Sequence, residues 1–344
     1  MNWKLLGKCV LAAAFTMTVS TSTLAQQPII LKVHSFSGPQ APEAVHHMLP
    51  LIDKIAKDSG GRLKLEFYPS MQLGGKVSDL IQQVEDGVVD IVITIPGATP
   101  NRFPLLQATE LPFVNVGTSA GQTPAVLEWT QKWLMNNEFK GLKIIHMHTT
   151  DAAVLHTRTK AVRSMADLSG MRIRVPGRYV GEAIKTLGGT PVGVALPEVY
   201  ESLQRGQLDG MTINWAIMAP YKLQEVTKFS MDTPLYQNPI MTLMSQASYD
   251  KLPADLKKVI DDNIGIAYSV SVAKKIDELT IPAKKAIADA GNTIYSLSPE
   301  EVARWRAAMA PVYKQWVADA EKRGLPGQKM FDDLLVVTAR YGRK

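Results

Sequence analysis

The chain has 344 residues, of which 46% are hydrophobic and 20% charged, with 24 Gly, 21 Pro and a single Cys. That composition belongs to an ordered globular protein long enough for two domains, and it excludes a disordered chain, a collagen-like repeat and a disulfide scaffold. Lys and Arg exceed Asp and Glu by 38 − 32 = 6, but the basic residues are scattered instead of clustered, which argues against nucleic acid as a partner.

Residues 1–25 read as a cleavable export signal. Lys4 and Lys8 precede an apolar stretch at 10–19, and Thr23-Leu24-Ala25 supplies the cleavage site. The apolar run falls short of the about 20 residues that a membrane span needs. Cleavage after Ala25 leaves 344 − 25 = 319 residues and an excess charge of 6 − 2 = +4. Cys9 departs with the signal, so the mature chain has no cysteine and must rest on its core instead of on disulfides. The expected location is a bacterial periplasm.

Next, 29–33 is apolar and β-branched, as a strand is, and 44–58 keeps Val45, Met48, Leu49, Ile52, Ile55 and Ala56 at helical spacing. The unit repeats. A strand is predicted at 63–68, Val77, Leu80, Ile81 and Val84 share one helical face, and 88–95 is apolar on both sides, as a buried parallel strand should be. A second series follows Gly141, with strands predicted at 142–146, 154–157, 172–175, 191–194 and 209–214. Helices are predicted through Val180, Ala183, Ile184 and Leu187 and over 197–205. The fold class is α/β, with two doubly wound lobes flanked by helices. From 254 to 290 the pattern is helical apart from Gly265 and Pro282, a reach of about 55 Å at 1.5 Å per residue if continuous, enough to touch both lobes. Two amphipathic helices beyond 299 carry Trp305 and Trp316, expected as core anchors.

Catalytic machinery is sparse. The mature chain offers no thiol nucleophile or thiolate metal site. His146-Met147-His148 puts two imidazoles on one strand face, but no carboxylate at metal-ligand spacing accompanies them. Ser-x-x-Lys occurs at Ser248 and Ser271 without the elements that accompany it in serine acylases, and no phosphate-cradling glycine loop is present. An exported α/β protein of this kind points to a binding protein with no catalytic residue, metal or cofactor.

In open α/β sheets ligands bind beyond the carboxyl ends of the strands. Arg174 ends the strand 172–175 before the Pro176-Gly177 turn, and its guanidinium is a permanently charged fork suited to a carboxylate. Asn214 and Trp215 end the strand 209–214 and offer a donor, an acceptor and a flat apolar wall. His34, Phe36 and Thr94 end strands of the first lobe and supply the opposite wall. Tyr179, at the following helix start, either covers the ligand or faces solvent. Each of these positions also has a structural reading as a cap, turn or packing residue.

Ordered motifs then connect the segments. Asp167-Leu168-Ser169-Gly170-Met171-Arg172-Ile173-Arg174-Val175-Pro176, Leu187-Gly188-Gly189-Thr190-Pro191, the stretch 198–206 and Leu208-Asp209-Gly210 resemble the substrate-binding proteins of tripartite ATP-independent periplasmic (TRAP) transporters. Gln72-Leu73-Gly74-Gly75, the stretch 84–90 and Glu110-Leu111-Pro112-Phe113 extend the match over most of the mature chain. The resemblance implies two lobes crossed by a long helix, closure on a ligand between them, and delivery to a small and a large membrane subunit. It implies that Arg174 binds the substrate carboxylate and that Asn214 contacts the substrate. The family's sialic-acid binders carry a second arginine where this chain has Val154, which disfavours that ligand. One fixed charge beside an aromatic wall suits an aromatic or apolar monocarboxylate, a 2-oxo acid or a 2-hydroxy acid. A C4-dicarboxylate receptor, and a periplasmic enzyme or sensor on the same fold, stay open. The expected lobes are 26–150 with 236–280, and 151–235 with 281–344.

Overall fold

Two β-sheets organise the described residues, 27–99 and 101–342 of the computed structural model. The export signal expected at 1–25 lies outside them. In chain order the strands are β1 (Ile29–Ser35), β2 (Leu63–Tyr68), β3 (Ile91–Thr94), β4 (Leu142–Thr149), β5 (Ala153–Thr157) and β6 (Arg172–Val175). They continue as β7 (Thr190–Gly193), β8 (Gly210–Asn214), β9 (Phe229–Tyr236), β10 (Pro239–Ser245) and β11 (Thr293–Tyr295). The first sheet has the order β2-β1-β3-β10-β4, parallel among β1, β2 and β3, with β10 antiparallel to both its neighbours. The second has the order β11-β9-β5-β8-β6-β7, in which β6, β7 and β8 are parallel and β5 runs against β8 and β9.

Burial explains the strand lengths. All four residues of β3 are buried, as befits a strand paired on both edges and covered on both faces. The predicted strand 88–95 is trimmed at its start because Val88, 56% exposed, follows the left-handed Gly87. The chain passes between the sheets at 150–152, at 237–238 and along the helix Ile266–Asp289. The two short crossings bond to each other: Thr150 N–H donates to Asn238 O at 2.9 Å, and Gln237 Nε2 donates to Thr150 O at 2.5 Å.

The long helical pattern is broken. Gly265 takes a φ of +105°, a conformation that L side chains rarely adopt, and separates Ala254–Asp262 from the 24-residue helix Ile266–Asp289. At 1.5 Å per residue the second piece spans about 36 Å, with Pro282 inside it. It reaches both lobes. Ser269 bonds to β4 residues of the first sheet, whereas Ile287 sits in the second core and Lys284 Nζ lies 2.7 Å from Asp232 Oδ1 on β9.

Beyond 299 there are three helices instead of two: Pro299–Ala308, Ala310–Glu321 and Gly327–Gly342. Trp305 and Trp316 are fully buried, their indole N–H groups donating to Glu301 and to Leu105 O. The last helix does not lie on the second sheet, which corrects the placing of 281–344 in the second lobe. Its apolar stripe of Met330, Phe331, Leu334 and Val337 is buried, and it packs on the helix Ser119–Trp133, which covers β4 of the first sheet. Trp129 Nε1 donates to Met330 O at 2.9 Å across this contact.

Candidate ligand-binding cleft

Between the sheets lies a cavity of about 880 Å³. Strand carboxyl ends and the crossings deliver its polar groups, while Phe36, Ile95, Val175, Ile213, Ile217 and Ile240 make much of the rest apolar. The lobes meet beside it. A Cβ on Gly177 would lie 2.7 Å from Gly97 Cα, and one on Gly97 would lie 2.9 Å from Pro176 O, so only glycine permits this approach. Nearby, Gly38 N–H donates to the Tyr221 hydroxyl oxygen at 2.9 Å.

Arg174 enters this cavity from β6 and is 5% exposed. Its Nε donates to Val194 O at 2.9 Å and its Nη1 to Thr212 O at 3.3 Å. Those bonds aim the guanidinium and leave three of its five N–H groups, both on Nη2 among them, for a ligand. The supporting shell is itself tied: Tyr236 O–H donates to Thr212 Oγ1 at 2.8 Å, and Thr212 Oγ1 donates to Arg174 O at 3.3 Å. Among the described residues no carboxylate pairs with Arg174, and burial alone pulls its pKa below the usual guanidinium value. A buried cation without a counter-ion is costly, and an anion in the cleft relieves that cost. Arg172, two residues earlier, is already committed to Asp209, with Nη2 3.0 Å from Oδ1.

Asn214 lines the cleft from the end of β8. Its Nδ2 donates to Asp151 Oδ1 at 2.5 Å, and Asp151 Oδ2 accepts Ala216 N–H at 3.2 Å. Burial pushes the Asp151 carboxyl up to about 6, with the Asn214 and backbone hydrogen bonds opposing. The amide is thereby turned so that its Oδ1 remains for a ligand.

Of the residues expected at the site, Phe36, Arg174 and Asn214 line the cleft and four do not. His34 is buried under the 72–75 turn, accepting Leu73 N–H at Nε2 and bonding Gln83 Oε1 through Nδ1 at 2.7 Å. Thr94 is fully buried and its hydroxyl has no partner. Trp215 follows Asn214 by one residue and so turns to the other side, into the second core, edge-on to His156 at 5.0 Å and beneath Lys284. Tyr179 neither covers the cleft nor faces solvent; it is buried on a helix face and donates to Asp319 Oδ2 at 3.1 Å.

The cleft also holds Glu43, Thr150 and Asn238, on which the sequence places no role, and His148, which the sequence marks only as one of a strand-face pair. Thr150 and Asn238 sit in the crossings, where no strand end marked them. Glu43 is buried, and its burial raises its pKa. His146 and His148, the strand-face pair, bond to each other, Nε2 to Nδ1 at 2.7 Å. Burial drives His148 down to about 3 and His146 well below the ordinary imidazole range. Among the described residues no three His, Cys, Asp or Glu side chains are grouped to hold a metal ion.

Two α/β lobes with an anion-demanding cleft between them define a two-lobed solute-binding protein. Residues 39–319 match the model of DctP, bacterial extracellular solute-binding protein family 7, and the chain belongs to that family, whose structural neighbours are TRAP solute-binding proteins. It is 38% identical to a marine metagenome TRAP solute-binding protein from an unidentified microbe, specific for aromatic acid ligands and solved with 3-hydroxybenzoate. That superposition has a TM-score of 0.86 and covers 92% of this chain and 99% of the other. A TRAP solute-binding protein of Rhodoferax ferrireducens T118, in complex with copurified benzoate, is 34% identical at a TM-score of 0.86, covering 92% of this chain and 99% of that one. The C4-dicarboxylate-binding periplasmic protein DctP of Rhodobacter capsulatus is 25% identical over 317 residues, 91% of this chain and 93% of that one.

Proposed function

We propose that this TRAP receptor is exported to the periplasm, captures an aromatic or apolar monocarboxylate, including 2-oxo and 2-hydroxy acids, and hands it unchanged to a small and a large membrane subunit. The observation that carries this reading is Arg174: a buried guanidinium, aimed by two carbonyls, with no acidic partner, in a largely apolar cleft. One such charge serves one carboxylate through a bidentate bond, and Phe36 with the aliphatic lining suits an apolar body. Of the other ionisable side chains of the cleft, Lys76, Arg178, Glu182 and Glu198 sit at the exposed or half-exposed rim, with Arg178 paired with Asp319 at 2.8 Å, while Glu43 is buried and its burial raises its pKa. Val154 is buried in the second core and offers sialic acid no second cation. The aromatic acids bound by relatives at 34% and 38% identity support the same class. Among the described residues no nucleophile with an adjacent base lies in the cleft, which favours binding over catalysis. Contacts from both lobes favour the closed form by their difference in affinity between closed and open states.

The test is calorimetric titration of the mature protein, with benzoate, 3-hydroxybenzoate, mandelate and succinate as probes, alongside mass spectrometry of what the denatured protein releases. Heat and thermal stabilisation with the aromatic acids and none with succinate support the reading. Stabilisation by succinate alone would make this a dicarboxylate receptor.

A further inference from the structure

Three imidazoles stand together beside the cleft. His146 and His148 project from one face of β4, and His47 stacks on His146 with ring centroids 3.9 Å apart and planes at 25°. All three are buried, and burial holds them neutral. A neutral imidazole carries one N–H and one bare nitrogen, so each ring has a sense set by its neighbours.

That sense can be followed from the long helix into the cleft. Ser269 Oγ accepts Met147 N–H at 3.4 Å, and the acceptor within reach of its own hydrogen is His146 Nδ1, at 3.1 Å. His146 Nδ1 is therefore bare and its proton is on Nε2, which donates to His148 Nδ1 at 2.7 Å. The proton of His148 is left on Nε2. The opposite arrangement would aim two donors at Ser269 Oγ and leave its hydrogen without an acceptor in a buried space, which is costly. His47 does not compete. Tyr268 O–H donates to His47 O at 3.1 Å, so His47 donates Nδ1–H to the Tyr268 oxygen and accepts Thr242 O–H at Nε2.

His148 lines the cleft, and no described residue accepts from its Nε2. We propose that His148 is a ligand-contacting residue whose Nε2–H is a donor of fixed sense, set by Ser269 through His146. This rests on the reading of the cleft as a carboxylate site and adds a second point of recognition to it. An N–H of fixed sense selects a ligand oxygen that accepts, either carboxylate or ring substituent, and rejects a ligand group with only a proton to give. Ser269 lies on the helix that reaches both lobes, so the group that orients this donor belongs to the element joining them.

The experiment has two readouts. Long-range proton–nitrogen spectra of the histidine-labelled, ligand-free protein report which nitrogen of each ring is protonated, with His148 assigned from a His148→Gln sample. The expected result is Nε2–H on both His146 and His148, and in Ser269→Ala signals averaged between tautomers on both rings. A His148 proton on Nδ1, or spectra unchanged in Ser269→Ala, would overturn the relay. Calorimetry with benzoate is the second readout: His148→Phe should bind about tenfold weaker or worse, and His148→Gln, whose amide restores a donor, within about threefold of wild type. Benzoate bound equally well by a folded His148→Phe would overturn the contact. Failure of wild type itself to bind any of the acid probes would sink the carboxylate reading, whereas the ligand-free spectra decide the relay in either case.

Discussion

Replacing Arg174 by Met separates binding from folding in this protein. The substitution removes the charge but keeps most of the apolar stem. In the liganded protein it deletes a desolvated charge pair, and truncating one partner of such a pair costs about 2–5 kcal/mol, or roughly 30- to 5,000-fold in affinity. In the ligand-free protein the balance differs. The bonds to Val194 O and Thr212 O, at 2.9 and 3.3 Å, are lost, but so is the burden of a 5% exposed cation without a counter-ion. Exchanging a buried charge for an apolar group of similar size is commonly neutral or stabilising. The ligand-free variant is therefore expected to melt at or above the wild-type temperature, while its stabilisation by benzoate vanishes. For wild type at 100 times its Kd that stabilisation is about 2.7 kcal/mol. Calorimetric titration gives the affinities and differential scanning calorimetry the stabilities. Binding within threefold of wild type would remove Arg174 from the site, and a ligand-free variant destabilised by several kcal/mol would make the guanidinium a structural strut for the 194 and 212 carbonyls.

Other substitutions test neighbouring parts of the argument. Gly177→Ala places a methyl 2.7 Å from Gly97 Cα, a backbone atom that cannot swing aside; the lobes should stay further apart, with a larger radius of gyration by X-ray scattering and benzoate affinity lower by about tenfold. An unchanged radius and affinity would show that closure does not pass through this crossing. Burial pushes the Glu110 carboxyl up to about 8, with the Gly97 backbone N–H opposing. The folded state thus binds more protons than the unfolded one between about pH 4.5 and 8, and wild type loses up to about 1.4 kcal/mol per pH unit across that window. Glu110→Gln removes that dependence, so by chemical denaturation its stability relative to wild type should rise between pH 5 and 8; a constant difference would mean that Glu110 is ionised in the fold. Trp316→Ala, at a fully buried ring against Trp129 and Phe331, should cost about 3–5 kcal/mol of stability in denaturant melts. Far from the cleft, it should leave benzoate affinity unchanged wherever the variant is folded.

The parts of this fold that sequence makes legible are those whose partners are near in the chain or whose burial leaves a period. Strands β1 to β8 carry apolar or alternating runs, and Arg174 and Asn214 stand at strand carboxyl ends where an α/β sheet opens to ligand. β9 and β10 were not anticipated, because Asp232, Pro234 and Pro239 interrupt them and because β10 pairs between β3 and β4, strands far earlier in the chain. Missing that return hid Asn238 and the meaning of Thr150, which face each other only once the two crossings run side by side. His146 and His148 are visible as two imidazoles on one strand face, but Ser269, which bonds His146, lies 123 residues further along the chain, so nothing local marks the hydrogen bonds that tie the pair together.

The aromatic preference changes its footing in the same way. Trp215, which the sequence offers as the aromatic wall, is turned into the second core by a step of one residue along a strand end. The ring that does enter the cleft is Phe36, across from Arg174 in the other lobe, so the charged and the aromatic contacts come from opposite sides of the closure. A ligand with both an acid group and an apolar ring then holds the lobes together through both of its ends, while one with two acid groups leaves Phe36 and the isoleucines facing a desolvated charge. Under the proposed function, preference for an aromatic monocarboxylate and preference for the closed form would follow from the same pair of side chains.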